Sequence, residues 1–230
     1  IIDLDDEKAL TNALKEVKIV LHAAGPFQYT ARQMADACIK TGTHYLDING
    51  DISVFEMLKK YDQSAIEAGI MIMPGTGFDV VPTDCIAMKL KSKMLDAEKL
   101  ELAFATLGGS LSHGTAITMA GRLGDAAVMR KKGNIIKIPL GQKGMTVNFF
   151  RGNKKEEIPL FVMNIPWGDI STAHFTTGIP NIETYTGISK KAYYILKFQY
   201  LFNWLLRTKF IRNKIKKKIN SLPAGPNDQQ

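Results

Sequence analysis

The chain has 230 residues, of which 45% are hydrophobic and 23% are charged, a composition typical of a folded globular protein and not of a disordered or fibrous one. Its formal net charge of +8 is concentrated in one segment, because ten of the 30 lysines and arginines lie between Lys190 and Lys218, where there is no acidic residue. The rest of the chain is close to neutral, so we expect no nucleic-acid partner, which would draw positive charge from several elements of the fold.

The two cysteines indicate the cellular compartment. Cys38 and Cys85 each lie within an apolar helical pattern, which predicts buried, reduced thiols. Residues 1–7 have neither the basic charge nor the apolar length of a secretory signal. We therefore expect a cytoplasmic protein.

The first part of the chain alternates between helix and strand patterns with short connections. In chain order we predict a helix capped by Asp3 or Asp5 that runs to Val17, a strand at 18–22, a helix at 31–40, a strand at 44–48, a helix at 54–68, a strand at 70–73 and a helix at 81–94. This order predicts an α/β fold with a Rossmann-like parallel sheet. The opening residues resemble the end of a strand and no GxGxxG turn precedes them, so we expect the first βαβ unit to lie outside this sequence.

After residue 100 the pattern changes to longer strands and loops. We predict a strand at 100–107, a helix at 112–132, strands at 135–137, 145–150, 157–163, 171–177 and 181–185, and helices at 190–207 and 208–220. The strands indicate an α+β domain with a mostly antiparallel sheet. The predicted organisation is a Rossmann remainder at 1–95, a substrate and dimerisation domain at 96–189, a basic, aromatic-rich helical segment at 190–220, and a tail at 221–230 that returns towards the Rossmann domain.

Two glycine turns, each between a predicted strand and a predicted helix, suggest a nucleotide site. A missing Cβ lets the backbone approach a sugar or a nicotinamide closely, and helix N-termini favour phosphates. The cofactor contacts expected from these turns are Ala23, Ala24, Gly25 and Pro26 in the first, and Gly75, Gly77, Phe78 and Asp79 in the second. For Phe78 two roles stay open, an apolar wall of the cleft or a core plug between domains.

Other polar residues near predicted strand ends and helix starts have competing roles. Asp47 either accepts a hydrogen bond from a ribose hydroxyl or caps a helix. Ser112 and Thr115 offer hydroxyls to a substrate oxygen at a helix N-terminus, where Ser112 also suits an N-cap, and His113 is a candidate proton donor. The remaining histidines have no Cys or His partner at ligand spacing, so we expect no metal site.

Several segments together resemble the saccharopine dehydrogenase-like oxidoreductase family, including its trans-acting enoyl reductase branch. They are Ala23-Ala24-Gly25-Pro26-Phe27, residues 42–50, residues 74–84, Ser112-His113-Gly114-Thr115 and Gly225-Pro226. The resemblance implies NADP or NAD as cofactor, with Asp3 beside its adenosine end, and a second domain for substrate and dimer contacts. In that frame, the residues that choose between NADP and NAD precede Ile1.

These observations predict an oxidoreductase that transfers hydride to or from an unidentified carbonyl, imine or enoyl group, on a small-molecule or lipid-linked substrate. The alternative is a non-catalytic nucleotide-binding or membrane-associated protein that keeps the fold.

The membrane-associated alternative depends on the segment 193–218, which is rich in aromatic and basic residues. Its aromatic part, residues 193–206, is too short to span a bilayer and contains Lys197. An interfacial helix buries such a face among lipids while its lysines contact anionic headgroups, which would make the protein peripheral at a membrane or lipid surface. The competing interpretation is a helix packed on the protein with a solvated basic tail.

Overall fold

The computed structural model describes residues 2–106, 120–121, 124–150 and 156–221, and the chain divides into two compact units. Unit 1 comprises Ile1–Leu100, Arg130–Asn134 and Pro166–Ile182, and unit 2 comprises Glu101–Met129, Ile135–Ile165 and Glu183–Gln230. Unit 1 is therefore assembled from three separate stretches of sequence.

Helices and strands alternate through the first stretch of unit 1, as predicted. In chain order they are α1 (Glu7–Lys15), β1 (Ile19–His22), α2 (Phe27–Thr41), β2 (His44–Asp47), α3 (Ile52–Leu58), a 3₁₀ turn (Lys59–Tyr61), α4 (Asp62–Glu67), β3 (Ile72–Met73) and α5 (Val81–Lys91). The strands are parallel and lie in the order β1-β2-β3. The predicted Rossmann-like parallel sheet is confirmed.

Local chemistry explains where these elements begin and end, with three corrections to the predictions. Asp6 caps α1 by accepting a hydrogen bond from the Ala9 N–H at 2.9 Å, so capping by Asp3 or Asp5 is wrong. Residues 2–5 form no strand. The predicted helix at 54–68 is divided by the 3₁₀ turn, whereas α2 ends as expected at Gly42, which has a φ of 71°.

The core of unit 1 is built from buried side chains of α1, α2, α3, α4 and β2, with α2 in contact with α1, α3 and β2. Its buried members are Leu10, Leu14, Ala31, Met34, Ala35, Ala37, Cys38, Tyr45, Val54, Leu58, Ala65 and Ile70. Burial raises the pKa of Cys38 to about 12, so this thiol stays protonated. Cys85 is exposed, against the prediction, because α5 buries little more than Ala87.

The remaining strands form a second sheet, and its predicted mostly antiparallel character is confirmed. They are β4 (Lys99–Phe104), β5 (Ala127–Lys131), β6 (Asn134–Ile138), β7 (Gly144–Phe150), β8 (Glu157–Asn164) and β9 (Asn181–Gly187). The strand order is β6-β5-β9-β8-β7, with β4 also paired to β9. The β5–β9, β7–β8 and β8–β9 pairs are antiparallel.

One predicted element in the later part of the chain ends earlier than predicted, and another is wrong in type. The helix predicted to reach residue 132 gives way to β5, in which Arg130 pairs with Ile182 of β9. The strand predicted at 171–177 is a helix, α6 (Asp169–Thr177), closed by Gly178 with a φ of 70°. Its threonines favour a strand locally, but α6 packs against α3 and α5 within unit 1, and tertiary packing overrides propensity.

Unit 2 ends in helical elements that confirm the helix predicted at 208–220 and divide the one predicted at 190–207. They are α7 (Lys190–Lys197), a 3₁₀ turn (Gln199–Phe202), α8 (Asn203–Leu206) and α9 (Lys209–Asn220). Ser189 caps α7 and Thr208 caps α9 through their side-chain oxygens. None of the helices in the described ranges has the length and apolar character needed to cross a membrane.

Candidate functional site

The three parallel strands of unit 1 bring both glycine turns to one edge of the sheet. His22 at the end of β1 pairs with Asp47 at the end of β2, and Leu46 pairs with Met73 at the end of β3. The turns therefore open at the same edge, with the end of β2 between them. Ligands of open α/β sheets bind at this carboxyl edge.

The first turn leaves its backbone accessible. Ala23, Ala24, Gly25 and Pro26 are all exposed, and the Gly25–Pro26 peptide bond is cis. No side chain larger than proline projects from these four residues, so a ligand can approach their backbone closely.

Beneath this turn, His22 is buried. Its Nε2 lies 2.9 Å from the Thr30 hydroxyl, which donates to the Ala24 carbonyl at 2.9 Å. Burial lowers the pKa of His22, and the charge of Asp47 opposes that shift only in part. The histidine thus supports the turn from below. In the described part of the chain no three His, Cys, Asp or Glu residues cluster as metal ligands do.

Asp47 connects β2 to the second turn. Its Oδ1 accepts from the Gly75 N–H at 2.7 Å and from the Asn49 side-chain amide at 2.6 Å, and its Oδ2 accepts from the Tyr45 hydroxyl at 2.6 Å. Its carbonyl accepts from the Thr76 N–H at 2.7 Å. Asp51, not Asp47, caps α3. The fully buried Asp47 carboxylate therefore positions the glycine turn through protein contacts.

The glycines of the second turn are required by close packing. Gly75 has a φ of 75°, and a Cβ there would lie 2.7 Å from the Phe55 ring. At Gly77 a Cβ would lie 3.1 Å from the Ile48 side chain. The turn can run this close to Phe55 only without a side chain at Gly75, whereas a Cβ at Gly77 would require Ile48 to shift by a few tenths of an ångström.

Phe78 projects from the turn into solvent. Its side chain is 89% exposed, so it plugs no core among the described residues. An exposed aromatic ring beside the carboxyl edge of a parallel sheet suits the flat face of a base or a nicotinamide. The apolar-wall role is the one that this placement favours.

Residues distant in sequence support the turn from the other side. The Trp167 indole N–H donates to the Asp79 carbonyl at 2.7 Å. Gly168 lies so close to Phe55 and Val80 that a Cβ would meet each of them at 2.9 Å. The sequence analysis missed this support because it assigned no role to Trp167. The available signal was the pair of glycines, Gly168 and Gly178, which flank the helix that follows Trp167.

Some predicted site residues are not brought to this edge by the described structure. Ser112, His113 and Thr115 lie outside the described residues. Asp3 is exposed and accepts a hydrogen bond from the Asp5 N–H at 3.1 Å. Their assigned roles stay predictions.

Residues 1–73, which contain β1, β2 and β3, match the family model of the saccharopine dehydrogenase NADP binding domain. The resemblance to this family is confirmed. The match supports NADP or NAD as cofactor, and the exposed first turn and the exposed Phe78 fit a nucleotide at this edge.

Alignments with named proteins cover more of the chain than the family model does. The human "Saccharopine dehydrogenase-like oxidoreductase" is 28% identical over 141 residues, 59% of this chain and 33% of its own length. A "Lipid droplet localized protein" of Caenorhabditis elegans is 28% identical over 36% of this chain and 20% of its own. A "Trans-acting enoyl reductase" of Mycobacterium ulcerans is 25% identical over 46% of this chain and 26% of its own.

Among solved structures, the apo saccharopine dehydrogenase (L-Glu forming) of Saccharomyces cerevisiae shares the fold. It superposes with a TM-score of 0.55 and 14% identity, over 86% of this chain and 46% of that enzyme. The matched region thus spans about a third of the human relative and less than half of the yeast enzyme. Over the matched residues, the chain is similar to saccharopine dehydrogenase-like oxidoreductases.

Proposed function

We propose that this chain is part of an NADP- or NAD-dependent oxidoreductase that acts on a carbonyl, imine or enoyl group. The observation that supports this most directly is the carboxyl edge shared by β1, β2 and β3. Two glycine turns open at this edge within unit 1, on either side of the end of β2. When bound, the cofactor supplies or accepts the hydride. The protein binds and orients it.

Different residues have distinct parts in this proposal. The exposed backbone of 23–26 admits the sugar or nicotinamide, and Phe78 gives the cleft an apolar wall. Asp47 holds the second turn in place from below. Ser112 and Thr115 are proposed to polarise the substrate oxygen and His113 to donate a proton.

A direct binding measurement tests the nucleotide site. We expect NADPH or NADH to change fluorescence on binding to the protein, and Phe78→Ala to weaken binding about two- to thirteenfold, because an aromatic contact contributes roughly 0.5–1.5 kcal/mol. Phe175→Ala is the matched control, since Phe175 is 75% exposed and lies in the same unit. Equal affinities for the two variants would remove Phe78 from the site.

The alternative function is a nucleotide-binding protein without turnover. Binding of NADPH without oxidation in the presence of 2-enoyl thioesters or long-chain aldehydes would favour it. A lipid-linked substrate is favoured by the named relatives, one a trans-acting enoyl reductase and one localised to lipid droplets. Turnover of these probes but not of short-chain analogues would support that substrate class.

We also propose that the C-terminal helices contact an anionic lipid surface. Large apolar side chains of α7, α8, α9 and the 3₁₀ turn between them are exposed by half or more, namely Tyr194, Ile195, Phe198, Tyr200, Leu201, Phe202, Trp204 and Phe210. This is an unusual density for a solvated surface. Ten basic residues lie in the same segment, 190–218, which favours anionic headgroups. The protein would then be cytoplasmic and peripheral at a lipid surface.

Vesicle flotation tests this contact. We expect binding to vesicles of phosphatidylcholine with phosphatidylserine, less binding to phosphatidylcholine alone, and a loss at high salt. Trp204→Ser combined with Phe210→Ser is expected to reduce flotation, while Phe175→Ser, an equally exposed site in unit 1, leaves it unchanged. If the protein does not float but forms dimers that require Trp204 and Phe210, the lipid contact is wrong. The homodimer that the resemblance implies then replaces it.

A further inference from the structure

The hydroxyl of Thr30, the fourth residue of α2, is bonded to the backbone of the first glycine turn. It donates to the Ala24 carbonyl at 2.9 Å and lies 3.4 Å from the Pro26 carbonyl. Its oxygen also lies 2.9 Å from the Nε2 of His22. All four residues belong to unit 1. Thr30 therefore connects the exposed turn with a buried histidine.

The direction of these hydrogen bonds follows from the single hydrogen of a hydroxyl. Both backbone groups within reach of Thr30 are carbonyls, which only accept, so the hydroxyl hydrogen is used there. The Thr30 oxygen then accepts from His22, and the imidazole carries a hydrogen on Nε2. This holds for the neutral and for the charged ring. His22 is 2% exposed, so removal of the Thr30 oxygen would leave a buried donor unsatisfied.

Helix α2 begins without a capping side chain, which makes the bond from Thr30 more important. Asp51 caps α3, but the N-cap residue of α2 is Pro26, which makes no side-chain hydrogen bond. The Tyr29 N–H donates to the Pro26 carbonyl at 3.0 Å. Thr30 extends this attachment to Ala24, two residues further into the turn.

The bond to Ala24 also determines where the next N–H group points. The C=O and N–H of a trans peptide point in opposite directions, so a carbonyl held by Thr30 directs the Gly25 N–H away from Thr30. Gly25 is exposed, and its N–H forms no hydrogen bond with the part of the chain that the structure describes. The first turn therefore presents a free donor, and a free donor suits an oxygen atom of a ligand.

We propose that His22 and Thr30 act as positioning residues, which hold the Ala24 carbonyl towards α2 and thereby present the Gly25 N–H to an oxygen of the bound nucleotide. The part of this proposal that concerns the nucleotide rests on the proposed function. The hydrogen bonds from His22 through Thr30 to Ala24 do not.

Substitution of Thr30 tests this role against a matched control on the same helix. Thr41, the last residue of α2, has the same bonding pattern, since its hydroxyl donates to the Ala37 carbonyl at 2.9 Å and lies 2.8 Å from the Thr43 hydroxyl. Thr41→Val removes a comparable hydroxyl at the other end of the helix. Thr30→Val removes the hydroxyl beside the turn, and Thr30→Ser keeps it.

Nucleotide binding is the first measurement. We expect Thr30→Val to raise the Kd for NADPH or NADH about five- to tenfold, because loss of one hydrogen bond lowers the fraction of protein with the turn held by about that factor. Thr30→Ser should restore the affinity of the wild type. Thr41→Val should lower the Tm and leave the Kd unchanged. A wild-type Kd in Thr30→Val, or an equal rise in Thr41→Val, would overturn the positioning role.

Nuclear magnetic resonance tests the hydrogen bonds without any nucleotide. The chain has four histidines, and His22→Gln identifies the signals of His22. We expect the His22 ring of the wild type to carry a hydrogen on Nε2. A ring protonated on Nδ1 alone would overturn the donation to Thr30, and this measurement stands even if Thr30→Val does not fold.

The Gly25 amide signal tests the link from these bonds to the ligand. We expect Thr30→Val to shift this signal and Thr41→Val to leave it in place, and NADPH to shift it in the wild type. A Gly25 signal that is the same in the wild type and in Thr30→Val would overturn the positioning role. A wild type that has the expected hydrogen bonds but binds neither NADPH nor NADH would overturn the proposed function and, with it, the nucleotide contact of Gly25.

Discussion

At the scale of single residues, the second turn depends on the absence of a side chain at Gly75. Both its positive φ and its distance from Phe55 exclude one. Gly42 provides a comparison, because its φ is 71° but a Cβ there would meet nothing within 4 Å. A substitution at Gly42 therefore measures the free-energy cost of the backbone conformation alone, and one at Gly75 measures that cost together with the cost of steric overlap.

We therefore predict that Gly42→Ala lowers the free energy of unfolding by about 1–2 kcal/mol, the penalty of a left-handed backbone. Gly75→Ala should lower it by about 3 kcal/mol or more, since overlap with the Phe55 ring is added. Urea unfolding followed by circular dichroism measures both. Equal losses would mean that the Phe55 ring moves aside without cost.

At the scale of elements, α6 is the clearest case of context deciding structure. Its sequence between Ser171 and Thr177 has the β-branched residues of a strand, yet it is a helix that packs on α3 and α5. Arg130 of β5 adds a hydrogen bond to the Ile170 carbonyl at 2.7 Å. The helix thus exists because of its neighbours.

The contact of this segment with the turn gives the second prediction. Trp167→Phe keeps an aromatic ring and removes the N–H that Asp79 accepts, so we expect a loss of about 1 kcal/mol in the free energy of unfolding. Trp204→Phe changes a side chain that is 73% exposed and should cost less than about 0.5 kcal/mol. Chemical denaturation compares the two, and equal losses would show that the indole hydrogen bond adds no stability.

At the scale of the whole molecule, unit 1 is discontinuous in sequence. Its first hundred residues are completed by Arg130–Asn134 and Pro166–Ile182. Arg130 is buried and pairs with Glu56 at 3.0 Å, and Trp167 holds the second turn. The predicted boundary of the Rossmann remainder is residue 95, and a fragment that ends there lacks both Arg130 and Trp167.

We predict that the fragment of residues 1–95 does not unfold cooperatively, because Glu56 and the Asp79 carbonyl lose their partners and the surface under α6 is exposed. Thermal unfolding by circular dichroism, with binding of a hydrophobic dye, would detect this. The full 230-residue chain measured alongside is the reference. A cooperative transition at the same temperature in the fragment would instead support the predicted boundary at 95.

The sequence by itself determined the elements whose signals are local. The alternation of strand and helix before residue 94, the glycine that ends α2 and the two turns at strand ends all follow from periodicity and backbone chemistry, and the family resemblance added the cofactor class. Only the tertiary structure decided the rest. Helix α6 and strand β5, the exposure of Cys85 and Phe78, and the support of the second turn by Asp47 and Trp167 depend on contacts between residues far apart in sequence, which no local pattern encodes.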